Sequence, residues 1–125
     1  PYVIRYNGTR PSKTTTWPKY NYWKADEKFQ DIARMLGLPH STPEEAVEAY
    51  AKAVYDLGVA VGIKMNFKDQ GIDEKTWKDS LHEIALLAYE DQCSPANPRL
   101  PMVADMEEIM ADAYYGYAER PGRRK

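Results

Sequence analysis

The stretch Thr42-Pro43-Glu44-Glu45-Ala46-Val47-Glu48-Ala49-Tyr50-Ala51-Lys52-Ala53-Val54-Tyr55-Asp56-Leu57-Gly58 decides the fold class. Threonine stands where a helix needs an N-cap acceptor, proline takes the first helical position, and glutamate takes the third. This is a capping box, with acidic charge at the positive end of the helix dipole. Val47, Tyr50, Val54 and Leu57 then recur at three- and four-residue steps, which predicts one buried stripe. Gly58 is the expected stop.

The same logic extends upstream. Ala25, Phe29, Ile32, Ala33 and Leu36 predict a helix from near Lys24, closed by Gly37 and blocked by Pro39. The short connection to Thr42 should pack the two helices antiparallel. Downstream, Val59-Ala60-Val61 has the composition of a strand, but Gly58, Gly62 and Gly71 break every period and no second strand exists to pair with it. Residues 58–72 therefore read as an irregular connection with room for one helical turn, resting against a neighbour because of its length. Asp73 caps a further helix to about Tyr89, with Trp77, Leu81, Ile84, Leu87 and Ala88 as its apolar face. Cys93 to Pro101 holds three prolines in nine residues, which no helix tolerates. A last helix spans Val103 to Tyr115, with Val103, Met106, Ile109, Met110 and Ala113 inward and Gly116 as its stop.

The fold class is all-α, an antiparallel helical bundle over residues 24–116. Residues 1–23 read as an aromatic-rich strap following a truncated upstream helix. Trp17, Tyr20, Tyr22 and Trp23 on this strap should lie on a helical surface rather than in solvent. Residues 117–125 read as a charged tail. Pro1 follows no methionine, and Val3-Ile4-Arg5-Tyr6-Asn7 reads as the end of something already under way, which suggests a fragment.

Composition excludes several functions. With 125 residues a single core is feasible without staples. Lysine and arginine total 17 against 19 acids, a net charge of −2, so nothing favours nucleic acid or an acidic membrane as partner. One cysteine excludes an internal disulfide and any multi-cysteine zinc site. Neither a membrane-spanning run nor a signal peptide is visible, and a reducing, cytoplasmic setting is the expectation.

Chemistry-bearing motifs are scarce. His40 sits in a loop and His82 on the outer side of its helix, neither with a second histidine at ligand spacing. No glycine cluster forms a phosphate loop, and no serine sits in a G-x-S-x-G elbow. Glu44-Glu45 and Glu107-Glu108 fall near helix starts, where the dipole accounts for them. The exception is Glu90-Asp91-Gln92-Cys93-Ser94-Pro95-Ala96-Asn97-Pro98-Arg99, a stiff, proline-braced turn. Pro98 drives Asn97 to extended backbone and so fixes where its amide points. A reactive Cys93 thiolate would need a neighbouring cation, for which Arg99 is the only local candidate.

Asp91-Gln92-Cys93 followed by Ala96-Asn97-Pro98-Arg99 resembles the Asp-x-Cys and Asn-Pro-Arg motif near the C-terminus of iron-containing (group III) alcohol dehydrogenases. Val3-Ile4-Arg5-Tyr6-Asn7 is similar to the stretch after the last metal-binding histidine motif of that family. Leu36-Gly37-Leu38, Ala53-Val54-Tyr55-Asp56-Leu57-Gly58 and Gly71-Ile72-Asp73 fall at similar helix ends, and the likeness is nearest to the alcohol dehydrogenase half of bifunctional aldehyde-alcohol dehydrogenases. The resemblance implies the C-terminal portion of the dehydroquinate-synthase-like helical domain. It also implies hydride transfer between NAD(H) and short aldehydes or alcohols, acetaldehyde and ethanol above all, at Fe²⁺.

The metal ligands and the glycine-rich nucleotide loop it implies lie upstream of Pro1. This chain is accordingly expected to supply no catalytic, cofactor-binding or metal-ligating residue, and to be inactive alone. Cys93, Asn97 and Pro98 are expected to line the substrate cleft. The implied partners are the upstream part of the same enzyme and further copies, by self-association or in a helical filament. The alternative is a free-standing, non-catalytic helical interaction module.

Overall fold

A computed structural model of the chain describes residues 1–11 and 23–116. Among these, five α-helices and one short 3₁₀ turn account for all regular structure, with no strand. They are α1 (Tyr2–Gly8), α2 (Ala25–Met35), α3 (Pro43–Ala60), α4 (Glu74–Glu90), the 3₁₀ turn Ser94–Ala96 and α5 (Val103–Tyr115). The all-α expectation holds. The first residues depart from the strap reading, because Tyr2–Gly8 is helical. Trp23 is buried, with the Arg10 guanidinium 5.6 Å from its ring centroid. Trp17, Tyr20, Tyr22 and the tail 117–125 lie outside the described residues.

Local signals set the helix ends. Thr42 Oγ1 accepts from the Glu45 N–H at 3.2 Å, as expected of the N-cap. The Glu45 carboxylate reaches one residue further back than a standard capping box and accepts from the Ser41 N–H at 2.7 Å. Asp73 caps α4 by accepting from the Thr76 N–H at 2.9 Å. Gly37 closes α2 in the left-handed region, with Leu38 N–H donating to Ala33 O and Gly37 N–H to Arg34 O.

Gly58, expected to end α3, does not. It is buried inside the helix, where an added Cβ would run into Met65 Sδ and lie 2.9 Å from Met65 Cε. The helix continues to Ala60 and closes at Gly62, whose φ of +84° allows Ile63 N–H to reach Gly58 O at 2.9 Å. A close approach, not a turn, accounts for Gly58.

The helices pair as α2 with α3 and α4 with α5, and α1 bridges the pairs by packing on α2, α3 and α5. Ala33, Ala46, Ala51 and Ala85 are fully buried, which lets backbones approach. Phe29 of α2 meets Tyr50 of α3 with ring centroids 5.7 Å apart. The second pair is held at its far end by Trp77 stacked on Tyr114 at 5.3 Å, with Phe67 against Trp77.

Phe67 comes from residues 61–73, an irregular connection without a helical turn that rests on the end of α5. There Phe67 and Lys68 N–H groups donate to Ala113 O and Tyr114 O, and Tyr114 Oη donates to Ile72 O. Carbonyls that α5 leaves without intrahelical donors are thereby satisfied.

The buried stripes shift from those expected. α3 and α4 do not pack on each other, so Leu57 stays 64% exposed and Leu87 61% exposed. Leu36 and Ile84 are also exposed. Tyr114, absent from the expected inward face, is the most deeply buried large side chain, at 1% exposure. Among the described residues, no helix is long and apolar enough to cross a membrane.

Candidate functional site

Two concave features stand out. One, of about 670 Å³, lies between α1, α3 and the end of α5 and is crossed by the Arg5–Glu48 ion pair at 2.8 Å. The other, about 640 Å³, is a largely apolar groove between α1, α4, α5 and the 3₁₀ turn. Val3, Ile84, Leu87, Ala88, Met106, Ile109 and Met110 supply its walls, and Tyr6, Asp91, Cys93, Ser94 and Asn97 its polar atoms. An apolar hollow with few polar groups is the usual build of a small-molecule site.

The structure brings Cys93 and Asn97 to this groove and leaves Pro98 exposed outside it. Cys93 is exposed, and its N–H donates to Asp91 Oδ1 at 2.7 Å. Ser94 Oγ donates to Ala88 O at 2.5 Å, which ties the turn to the end of α4. Arg99, the candidate cation for Cys93, is engaged elsewhere. Its Nη1 donates to Tyr6 O at 3.1 Å and Thr9 O at 3.2 Å, and its guanidinium lies 4.1 Å from the Tyr6 ring centroid.

Asn97 is extended, as Pro98 requires, with ψ near +139°. Its carboxamide faces that of Asn7 in a reciprocal pair. Asn7 Nδ2 donates to Asn97 Oδ1 at 3.0 Å, and Asn97 Nδ2 to Asn7 Oδ1 at 2.7 Å. The second Asn97 N–H donates to Arg99 O at 2.5 Å. Tyr6 Oη donates to Leu100 O at 3.2 Å. Desolvation, the largest influence on this phenol, pushes its pKa up to about 12, so Tyr6 stays neutral at any ordinary pH.

Asn7, 7% exposed, was not legible as part of a site, since a single asparagine near the start of a chain carries no pattern. His82 also gains a partner that spacing along its own helix does not reveal. Its Nδ1 sits 2.6 Å from Glu107 Oε1 on α5, so Glu107 does more than complement a helix dipole. His40 Nδ1 lies 2.7 Å from Leu38 O in its loop. Among the described residues, no three histidine, cysteine, aspartate or glutamate side chains come together as metal ligands.

Among the described residues the chain is a helical unit with an open apolar groove, a polar joint beside it and no cluster of metal ligands. The family model "Fe-containing alcohol dehydrogenase family, C-terminal" matches residues 1–114, and the chain belongs to that family. It is 78% identical over 125 residues to the aldehyde-alcohol dehydrogenase of Streptococcus pneumoniae strain D39, covering 100% of this chain and 14% of that protein. It is 54% identical over 118 residues to aldehyde-alcohol dehydrogenase 2 of Entamoeba histolytica, covering 94% and 14%. With the bifunctional aldehyde-alcohol dehydrogenase of Escherichia coli K12 it shares 31% identity over 117 residues, covering 91% and 13%. The chain thus spans a small part of the length of the curated relatives it matches.

Proposed function

We propose that this chain works as the C-terminal helical part of the alcohol dehydrogenase half of an aldehyde-alcohol dehydrogenase. In the complete enzyme its groove forms one wall of the cleft in which a short aldehyde, acetaldehyde above all, and its alcohol are interconverted by hydride transfer with NAD(H). The observation that carries this reading is the placement of Cys93 and Asn97, from the family-like motif, on one apolar groove with Val3 of the other family-like stretch. Apolar walls of this kind accept an alkyl chain and exclude water from a reacting carbonyl.

The described residues do not fit a metal ion, because no ligand cluster forms among them, and they include no glycine-rich phosphate cradle. In this reading Fe²⁺ and the nucleotide are held by the upstream part of the enzyme. The exposed faces around Leu57 and Leu87 support two partners, that upstream part and, for the isolated chain, further copies of itself.

Cys93→Ala in the complete enzyme, assayed for aldehyde reduction, tests the wall role. The expected result is retained turnover with a changed KM for aldehyde. Abolished turnover with the fold intact would instead make Cys93 part of the chemistry and sink the wall role. The 125-residue chain supplied with iron, NADH and acetaldehyde should oxidise no NADH.

A further inference from the structure

Two stretches that lie 90 residues apart in the chain meet in one polar joint at the rim of the groove. Asn7 brings a carboxamide into a buried position where an apolar residue would be the ordinary choice. Its presence is explained by Asn97, because each amide satisfies the other in a two-bond ring. Both Asn97 N–H donors and its oxygen are used, and Arg99 locks the arrangement by bridging Tyr6 O and Thr9 O at the end of α1. Such a network has one geometry in which every member is satisfied. A partly satisfied version leaves a buried amide without a partner. The joint therefore fixes the turn that carries Cys93 relative to α1, which carries Val3 and Tyr6 on the same groove.

We propose that Asn7 and Arg99 are positioning residues for the aldehyde cleft, acting through Asn97 to set the groove's width and hence the chain length of aldehyde it accepts. The inference rests on the reading of the groove as a cleft wall. Neither residue touches substrate. Loosening the joint should alter discrimination among aldehydes and leave the chemical step alone.

The test uses the complete enzyme with Asn7→Ala, Asn97→Ala and the double variant, assayed on straight-chain aldehydes from acetaldehyde to hexanal. The expected result is a change of about three- to tenfold in the kcat/KM ratio of hexanal to acetaldehyde, a part of the about tenfold or more that a whole methylene contact carries. At saturation kcat of Asn7→Ala for acetaldehyde should stay within about twofold, since Asn7 lies outside the groove lining and a positioning contact differs from a transition-state contact. The double variant should be no worse than the single ones, because both remove the same joint.

Alkylation of Cys93 by iodoacetamide, read by peptide mass, should quicken in Asn7→Ala and needs no activity. If Asn7→Ala destabilises the protein, Arg99→Lys serves instead. It keeps the charge, loses the planar fork and should shift the ratio in the same direction. A uniform loss across all aldehydes would overturn the inference. So would wild-type ratios and labelling in Asn7→Ala while Cys93→Ala shifts the ratio, and in that case the cleft wall itself survives. Unchanged ratios in both Cys93→Ala and Asn7→Ala, with faster labelling in Asn7→Ala, would remove the cleft reading and the inference with it.

Discussion

The contact that seats α1 on α3 makes a sharp prediction for Gly8→Ala. An added Cβ would run into Val47 Cγ2 and stand 2.7 Å from Cγ1 and 3.1 Å from Cβ. Carbons in favourable contact sit about 3.5–4.0 Å apart, so the overlap involves both methyls. Val47 is buried, at 4% exposure, and a β-branched side chain in a helix has one strongly favoured rotamer. Rotation cannot relieve the clash, and α1 must move.

Alanine gains at most about 1 kcal/mol of helix propensity over glycine, and less at a helix end. Overpacking of this kind costs about 1–3 kcal/mol. The net expectation is a destabilisation of about 1 kcal/mol. Val47→Ala alone removes two buried methyl groups, worth about 2 kcal/mol with the cavity included. In the double variant the new methyl occupies part of the emptied space, so the two costs should fall short of their sum by about 1 kcal/mol. Equilibrium urea unfolding of the four proteins measures all three quantities. A neutral or stabilising Gly8→Ala, or strict additivity, would refute the account. Because α1 also carries Asn7, Gly8→Ala in the complete enzyme should quicken Cys93 alkylation as well.

Two further expectations concern helix starts. Thr42→Ala should cost about 1 kcal/mol and accelerate hydrogen exchange at the Glu45 amide, which loses its acceptor; an unchanged exchange rate would count against the cap. The Thr76 backbone N–H, followed by its hydroxyl, holds the Asp73 pKa below the usual aspartate range. Its contribution is therefore complete above the unfolded-state pKa and is lost as pH falls through the depressed native value. Asp73→Asn should flatten that acidic part of the stability profile, and a superimposable acid-unfolding curve would remove Asp73 from the explanation.

The candidate site was partly legible. Pro98 announces the extended Asn97, and three prolines announce a turn, because these constraints act within one or two residues. The destination of the Asn97 amide was not legible, since its partner Asn7 lies at the other end of the chain. Arg99 shows the same limit. Beside Cys93 in sequence, it reads as a cation for the thiol, yet its guanidinium goes to the carbonyls of Tyr6 and Thr9. Only packing decides which neighbour a long side chain serves.

By itself the sequence determined the helical class, the caps at Thr42 and Asp73 and the closure at Gly37. Each of these depends on hydrogen bonds that span five residues or fewer. Tertiary structure alone decided that Gly58 is a contact rather than a stop, because Met65 needs the space of its missing side chain. It also decided which apolar residues stay outside. Periodicity gives a helix an apolar face but says nothing about whether another helix arrives to cover it. Here α3 and α4 never meet, and Leu57 and Leu87 remain in the open.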